Sequence, residues 1–179
     1  EKLSGKSYDG RDYTARDPEK DLQYGYDVAM RVIADHSRAS AMLIADGVTP
    51  ASDGRGYVLR RLIRRACRHG RVLGLKRPFL YEVSREVVAS MGGAYPELVA
   101  NADKIEKILK GEEEKFLSTL DTGIEVLAKE IESVKGRSSK ILPGAAAFTL
   151  HDTYGFPLDL TADLAKQHGL TIDHDGFAA

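Results

Sequence analysis

A run of apolar residues at helical intervals between positions 105 and 131 most constrains how this chain folds. Ile105, Ile108, Leu109, Phe116, Leu120, Ile124, Leu127 and Ile131 step by three, four and seven, and Glu and Lys dominate the positions between. At 3.6 residues per turn this spacing gathers one buried stripe on an otherwise charged helix. The helix is expected from Pro96, well suited to a first helical position, toward Val134 just before Gly136, with Gly111 and Gly123 as places to bend. The Glu112-Glu113-Glu114 run reads as a solvated face.

The rest of the chain also reads as helical. Asp27 suits the N-cap of a helix running to a stop at Gly47. A second helix is expected from Gly56 to Leu73 with Gly74 past its end, and a third from Phe79 to Met91 closed by Gly92-Gly93. Gly144 to Thr153 and Thr161 to His168 are short candidates, and Leu170-Thr171-Ile172 a short extended piece. Residues 1–26 carry Gly5, Gly10, Pro18 and Gly25 without an apolar period and read as irregular. Arg137-Ser138-Ser139-Lys140 is a polar break and the expected internal boundary. The fold class is all-α: a helical subdomain over 27–136 with one long charged helix, then a small, mostly helical subdomain over 143–179. No βαβ alternation is visible.

Composition narrows the class further. The chain has 179 residues, 42% hydrophobic and 30% charged, with a formal net charge of −1. That is enough for one sizeable core or two small ones. No run approaches the roughly 20 apolar residues of a membrane span, so no membrane partner is expected. The start, Glu1-Lys2-Leu3-Ser4-Gly5, has no apolar secretory segment and no Met, which points to a piece of a longer protein. Cys67 is the only cysteine, which leaves no intramolecular disulfide and no cysteine-based zinc cluster, and fits a reducing, cytoplasmic setting.

The near-neutral average hides segregated charge. Arg55, Arg60, Arg61, Arg64, Arg65, Arg68, Arg71, Lys76 and Arg77 fall between positions 55 and 77 without one acidic residue. On a helix, Val58, Leu59, Leu62, Ile63, Ala66, Cys67 and Leu73 gather on one side, and six arginines from Arg60 to Arg71 on the other. Like charges three and four apart repel by roughly 0.2–0.5 kcal/mol per pair, so this face calls for anions. A guanidinium fork matches phosphate oxygens bidentately, and phosphate contacts gain from counterion release. The other source of anions is the acidic side chains of the long helix, and a share of the arginines is expected to pair with them.

Four blocks carry a resemblance. Arg31-Val32-Ile33-Ala34-Asp35-His36, Leu43-Ile44-Ala45-Asp46-Gly47-Val48, Arg55-Gly56-Tyr57-Val58-Leu59-Arg60-Arg61 and His151-Asp152-Thr153-Tyr154-Gly155-Phe156-Pro157-Leu158-Asp159-Leu160-Thr161 occur in that order. In order and spacing they resemble the alanyl-tRNA synthetase family, over about Arg31 to Phe177. The resemblance implies the central helical region that recognises tRNA, without the class II catalytic core N-terminal to it or the zinc-holding editing module C-terminal to it. ATP with magnesium, and the editing zinc, are then expected of the full-length enzyme. No cofactor, metal ligand or catalytic residue is expected here. Its expected partners are the acceptor stem of alanine tRNA and those other domains.

The family marks its tRNA by a G·U wobble pair, whose unpaired guanine amino group projects into the wide, shallow minor groove of A-form RNA. A donor there calls for an acceptor. By resemblance the family's Asp falls on Asp152, and its Asn position falls on Ser52. The Ser hydroxyl is shorter and cannot engage bidentately. The resemblance thus implies that Asp152 and Ser52 read the pair while Arg55, Arg60, Arg61, Arg64, Arg65, Arg68 and Arg71 hold phosphates. Read without it, Asp152 is a helix-end acid and Ser52 a loop N-cap.

Other residues read plainly. Asp35 and His36 form a buried or capping polar pair, Cys67 is a core residue, and Tyr57 and Tyr154 pack partly buried. A protein-interaction module, its arginine face docked on an acidic helix, is the competing class. An independent enzyme is disfavoured, since no phosphate-cradling Gly loop or nucleophilic triad is present.

Overall fold

The structure, a computed structural model, describes residues 1–10, 21–136 and 140–178. Among these, eight helices and two two-residue strands follow in order: α1 Leu22–Ala45, α2 Gly54–Val72, α3 Leu80–Met91, α4 Pro96–Ala100, α5 Ala102–Gly136, β1 Ile141–Leu142, α6 Gly144–Asp152, α7 Leu158–Gln167, β2 Thr171–Ile172 and α8 His174–Ala178. The architecture is all-α, as the periodicity predicts. The chain forms two compact units, Glu1–Glu114 and Lys115–Ala179, whose boundary falls inside α5. Arg137, Ser138 and Ser139 of the expected polar break lie outside the described residues, as do residues 11–20.

In the first unit α1 packs on α2 and α3. Helix α1 begins five residues before Asp27, capped by Asp21, whose carboxylate accepts from the Gln23 and Tyr24 backbone N–H groups. Asp27 is instead buried within α1, where it accepts from Asp9 N–H (3.1 Å), Gly10 N–H (2.7 Å) and the Gln23 side-chain amide (2.7 Å). It therefore ties the N-terminal residues to the helix rather than starting it. At the other end Gly47 adopts φ +87° and Val48 N–H reaches back to the Leu43 carbonyl, the glycine-dependent stop expected there.

The expected helix from Pro96 to Val134 is interrupted, but at neither glycine. Asn101 separates α4 from α5, and its side-chain amide and backbone N–H both donate to the Glu97 carbonyl. An Asn side chain competes with the helical ladder in this way, and the chain restarts at once. Helix α5 runs unbroken through Gly111 and Gly123.

The stripe on α5 is real, with two changes. Ile105, Leu109, Phe116, Leu120, Leu127 and Ile131 are buried, while Ile124 is exposed. Glu112 and Glu113, expected on a solvated face, are also buried. They stand three and four residues from both Leu109 and Phe116, so they occupy the stripe where the apolar spacing jumps by seven.

The second unit contains the rest of α5 and everything after it. Its one sheet pairs β1 with β2 in parallel, Ile141 opposite Thr171 and Leu142 opposite Ile172. The extended piece expected near Leu170 is thus β2; its partner strand lies too close in length to a turn to be read from sequence. Helix α8 packs on α6. Gly144 permits that approach, because a Cβ there would lie 2.1 Å from the Gly176 backbone.

Candidate nucleic-acid interface

The arginine helix is amphipathic, but not every arginine faces out. Leu59, Ile63, Ala66 and Cys67 are buried on its inner side, whereas Val58 is exposed. Arg55 and Arg61 are exposed, Arg60, Arg65, Arg68 and Arg71 half-buried, and Arg64 mostly buried. Arg64 turns inward: Nε and Nη2 both donate to Glu112 Oε1, at 2.8 and 2.7 Å. Its side chain is 12% exposed and that of Glu112 5%, so this is a buried ion pair. Arg60 lies 3.5 Å from the same oxygen. Pairing with the long helix therefore accounts for Arg64 and Arg60 at least.

Glu113 serves the next helix. Its Oε2 accepts the backbone N–H groups of Phe79 and Leu80, both at 3.0 Å, which satisfies donors at the start of α3. Its Oε1 is buried with no hydrogen-bond partner. Burial pushes the carboxyl up to about 7, against the two backbone N–H groups that favour its charged form. Burial likewise holds the Cys67 thiol well above its ordinary value, with Glu113 and Glu112 adding to it. Cys67 is thus an inert core residue, as expected. His69, also on α2, is buried and lowered to about 4 by that burial and by Arg68, Arg65 and His36. The pair expected at Asp35 and His36 to be buried or capping is mixed: the His36 side chain is 16% exposed and that of Asp35 58%. Asp35 is exposed, accepts from Arg38 at 2.8 Å and lies 3.2 Å from His36 Nδ1, and these two partners depress its carboxyl.

Ser52 and Asp53 are exposed in the loop leading into α2. Asp53, not Ser52, occupies the N-cap position, and its side chain makes no capping bond. The loop is held against α2 at Gly56, where a Cβ would stand 2.5 Å from both the Thr49 carbonyl oxygen and Ala51 Cβ. Gly56→Ala is therefore expected to displace the Ser52 loop and to cost about 1–3 kcal/mol, the usual range for overpacking, read as a lower urea midpoint. An unchanged midpoint would mean the loop does not depend on this contact.

Asp152 is exposed at the last position of α6. Its carboxylate has no hydrogen bond or ion pair among the described residues. The next backbone donor, Thr153 N–H, goes to the Thr149 carbonyl. The segment after it is firmly placed. Gly155 takes φ +67°, and Phe156 N–H returns to the Leu150 carbonyl at 2.9 Å. Thr119 Oγ1 of α5 donates to the Tyr154 carbonyl at 2.9 Å, and Phe156 packs edge-on against Phe116 at 5.8 Å. Gly123 leaves the space for Phe156; a Cβ there would come within 2.3 Å of the ring. Ser52 thus belongs to the first unit and Asp152 to the second.

Residues 2–179 match the family described as tRNA synthetases class II (A), and the protein is accordingly of the class II tRNA synthetase type. Alanine–tRNA ligases from Acetivibrio thermocellus and Pseudomonas syringae pv. tomato are each 51% identical to it, over 151 and 149 residues, or 84% and 83% of this chain. That from Oleidesulfovibrio alaskensis is 52% identical over 151 residues. Within class II, the chain belongs to the alanyl-tRNA synthetase family. It spans 17% of the length of these curated relatives. Among the described residues no three His, Cys, Asp or Glu side chains come together as a metal cradle, and no helix is long and apolar enough to cross a membrane.

Proposed function

We propose that this chain grips and reads the acceptor stem of alanine tRNA, as part of an enzyme that attaches alanine to that tRNA with ATP in the cytoplasm. The observation that carries this reading is the state of Asp152. An exposed carboxylate without a partner, at the C-terminal end of a helix whose dipole disfavours negative charge, contributes nothing evident to the fold. It offers two acceptor oxygens on a rigidly placed turn, which is what the free guanine amino group of a G·U pair requires. Ser52, exposed and not used as a cap, is proposed as a second contact to the same pair.

The phosphate-holding set is narrower than the arginine count. Arg64 is committed to Glu112, and Arg60 lies beside the same carboxylate. By exposure, Arg55 and Arg61 are the leading candidates, with Arg65, Arg68 and Arg71 on the same helix. Arginines position the stem and Asp152 specifies the pair. The chain supplies no reacting group; its contribution to aminoacylation is to present the tRNA 3′ end.

Fluorescence anisotropy with acceptor-stem hairpins differing only in G·U versus G·C tests this. The parent chain is expected to prefer G·U by about 10-fold, the effect of roughly 1–3 kcal/mol for a good base contact. Asp152→Asn should abolish the preference without lowering the urea midpoint. Arg61→Ala should weaken both RNAs equally and make the salt dependence shallower by about one phosphate contact. An intact G·U preference in Asp152→Asn would refute the assignment of Asp152.

A further inference from the structure

Glu112 meets more positive charge than it can neutralise. Arg64 donates to its Oε1 through both Nε and Nη2, and Arg60 Nε stands 3.5 Å from the same oxygen. Two guanidinium groups against one carboxylate leave this trio with one positive charge over. Exposure grades outward through it, at 5% for Glu112, 12% for Arg64 and 30% for Arg60. Solvent therefore meets the remaining charge at Arg60.

Arg60 is turned in a particular way. Its Nε is buried without a hydrogen bond, whereas its two Nη groups are neither buried nor bonded among the described residues. An arginine kept only for solubility turns its whole guanidinium to water, where Nε is hydrated as well. A buried donor left unbonded costs stability and calls for a reason. With its inner edge fixed beside Glu112, Arg60 presents its outer Nη pair in one orientation, and such a fork matches two phosphate oxygens bidentately. Fixing a long side chain beforehand also removes the ordering cost that binding would otherwise incur. Arg61 beside it is exposed, and no acidic residue falls between positions 55 and 77, so an anion at the fork meets only positive neighbours along the helix.

We propose that Glu112 is a positioning residue for the RNA grip: with Arg64 it anchors the inner edge of Arg60 and so points the Nη fork of Arg60 at a backbone phosphate. The proposal rests on the hold of this helix on RNA phosphates and is independent of Asp152. Exposure ranks Arg55 and Arg61 first for that hold, and anchoring adds Arg60 to them.

Removing the negative charge of Glu112 separates positioning from electrostatics, because the two give opposite signs. Charge alone makes Glu112→Gln, one positive charge richer, bind RNA more tightly and with a steeper salt dependence. Positioning makes it bind more weakly and with a shallower one. Fluorescence anisotropy of this chain with an acceptor-stem hairpin, over a series of salt concentrations, reads both. Arg60→Ala should weaken the hairpin on the order of 10-fold and make the salt dependence shallower by about one phosphate contact. Glu112→Gln should move both quantities the same way, and the double variant should be no weaker than Arg60→Ala to within about 2-fold. Arg60→Lys keeps the charge without the fork and should also bind more weakly than the parent, by about 3-fold or more. Circular dichroism checks that each variant is folded. If Glu112→Gln is not, Arg64→Met with Glu112→Leu takes its place; it removes the anchor at unchanged net charge, needs no counter-charge, and should give the same loss. Tighter or unchanged binding by the Glu112 variant overturns its positioning role, as does a double variant weakened by the product of the two single effects. Unchanged binding by Arg60→Ala overturns the assignment of Arg60 and leaves the grip to the other arginines. A parent chain without salt-dependent RNA binding refutes the grip itself, and this proposal with it.

Discussion

Glu112→Ala is expected to cost this protein about 3–5 kcal/mol, a third or more of the stability of a typical domain. The cost comes from what is left behind. Arg64 is nearly inaccessible, and both its Nε and Nη2 donate to Glu112 Oε1. Without that oxygen a guanidinium stays buried with its main counter-charge gone, and Arg60 loses its near neighbour as well. The pair Arg85–Glu106 provides the internal comparison. Its geometry is equally good, with Nε and Nη2 at 2.8 and 2.7 Å from the two carboxylate oxygens. Both partners are far more exposed, however, so Glu106→Ala should cost only about 0.2–1 kcal/mol. The same chemical bond thus carries a several-fold different consequence, and solvent access decides which. Urea denaturation of the two variants measures it, and equal midpoints would show that the Arg64 site relaxes to admit water. Replacing both partners, as Arg64→Met with Glu112→Leu, should recover most of the loss, since an apolar pair needs no counter-charge.

The second large effect is on the pH dependence of stability. Glu113 has a folded pKa raised to about 7 from 4.5, so between those values the folded chain holds a proton that the unfolded chain has released. Stability from this group is full below pH 4.5 and is lost as pH rises toward 7. His69 has a folded pKa lowered to about 4 from 6.5, so between those values the unfolded chain binds the proton first. Its contribution is full above pH 6.5 and is lost as pH falls toward 4. The two slopes are opposite and overlap, and so nearly cancel between about pH 4.5 and 6.5. At roughly 1.4 kcal/mol per pKa unit, each alone is worth up to about 3 kcal/mol across its window.

Glu113→Gln should therefore unmask His69. The variant's stability is expected to climb from pH 4 to 6.5 and then level off, and above pH 7 it should exceed the parent's by about 2 kcal/mol. The Gln carbonyl still accepts from Phe79 and Leu80, and no charge has to be buried. Urea midpoints at half-unit pH steps give the answer. A variant whose profile parallels the parent's between pH 4.5 and 7 would show that Glu113 ionises normally in the folded chain. The groups facing these two sites are the Phe79 and Leu80 amides, Cys67 and Arg77 around Glu113, and Arg65, Arg68 and His36 around His69.

Much of this was legible in the order of residues. The glycine stop at Gly47, the apolar face Leu59-Ile63-Ala66-Cys67 and the stripe from Ile105 to Ile131 each depend on near neighbours, and near neighbours are what spacing records. The family blocks point to Asp152, and the structure adds that this residue is exposed at a helix end.

Spacing by itself determined that this chain is helical and, Val58 and Ile124 excepted, which apolar residues of α2 and α5 face inward. Only the tertiary structure decided which charged residues do. Asp27 is buried because the backbone of Asp9 and Gly10 comes to it, and Glu113 because Phe79 and Leu80 do. Arg64 is buried because Glu112 reaches it from 48 positions away. A charge can leave water only when a partner from another part of the chain meets it, and that meeting is a property of the folded packing rather than of any local pattern.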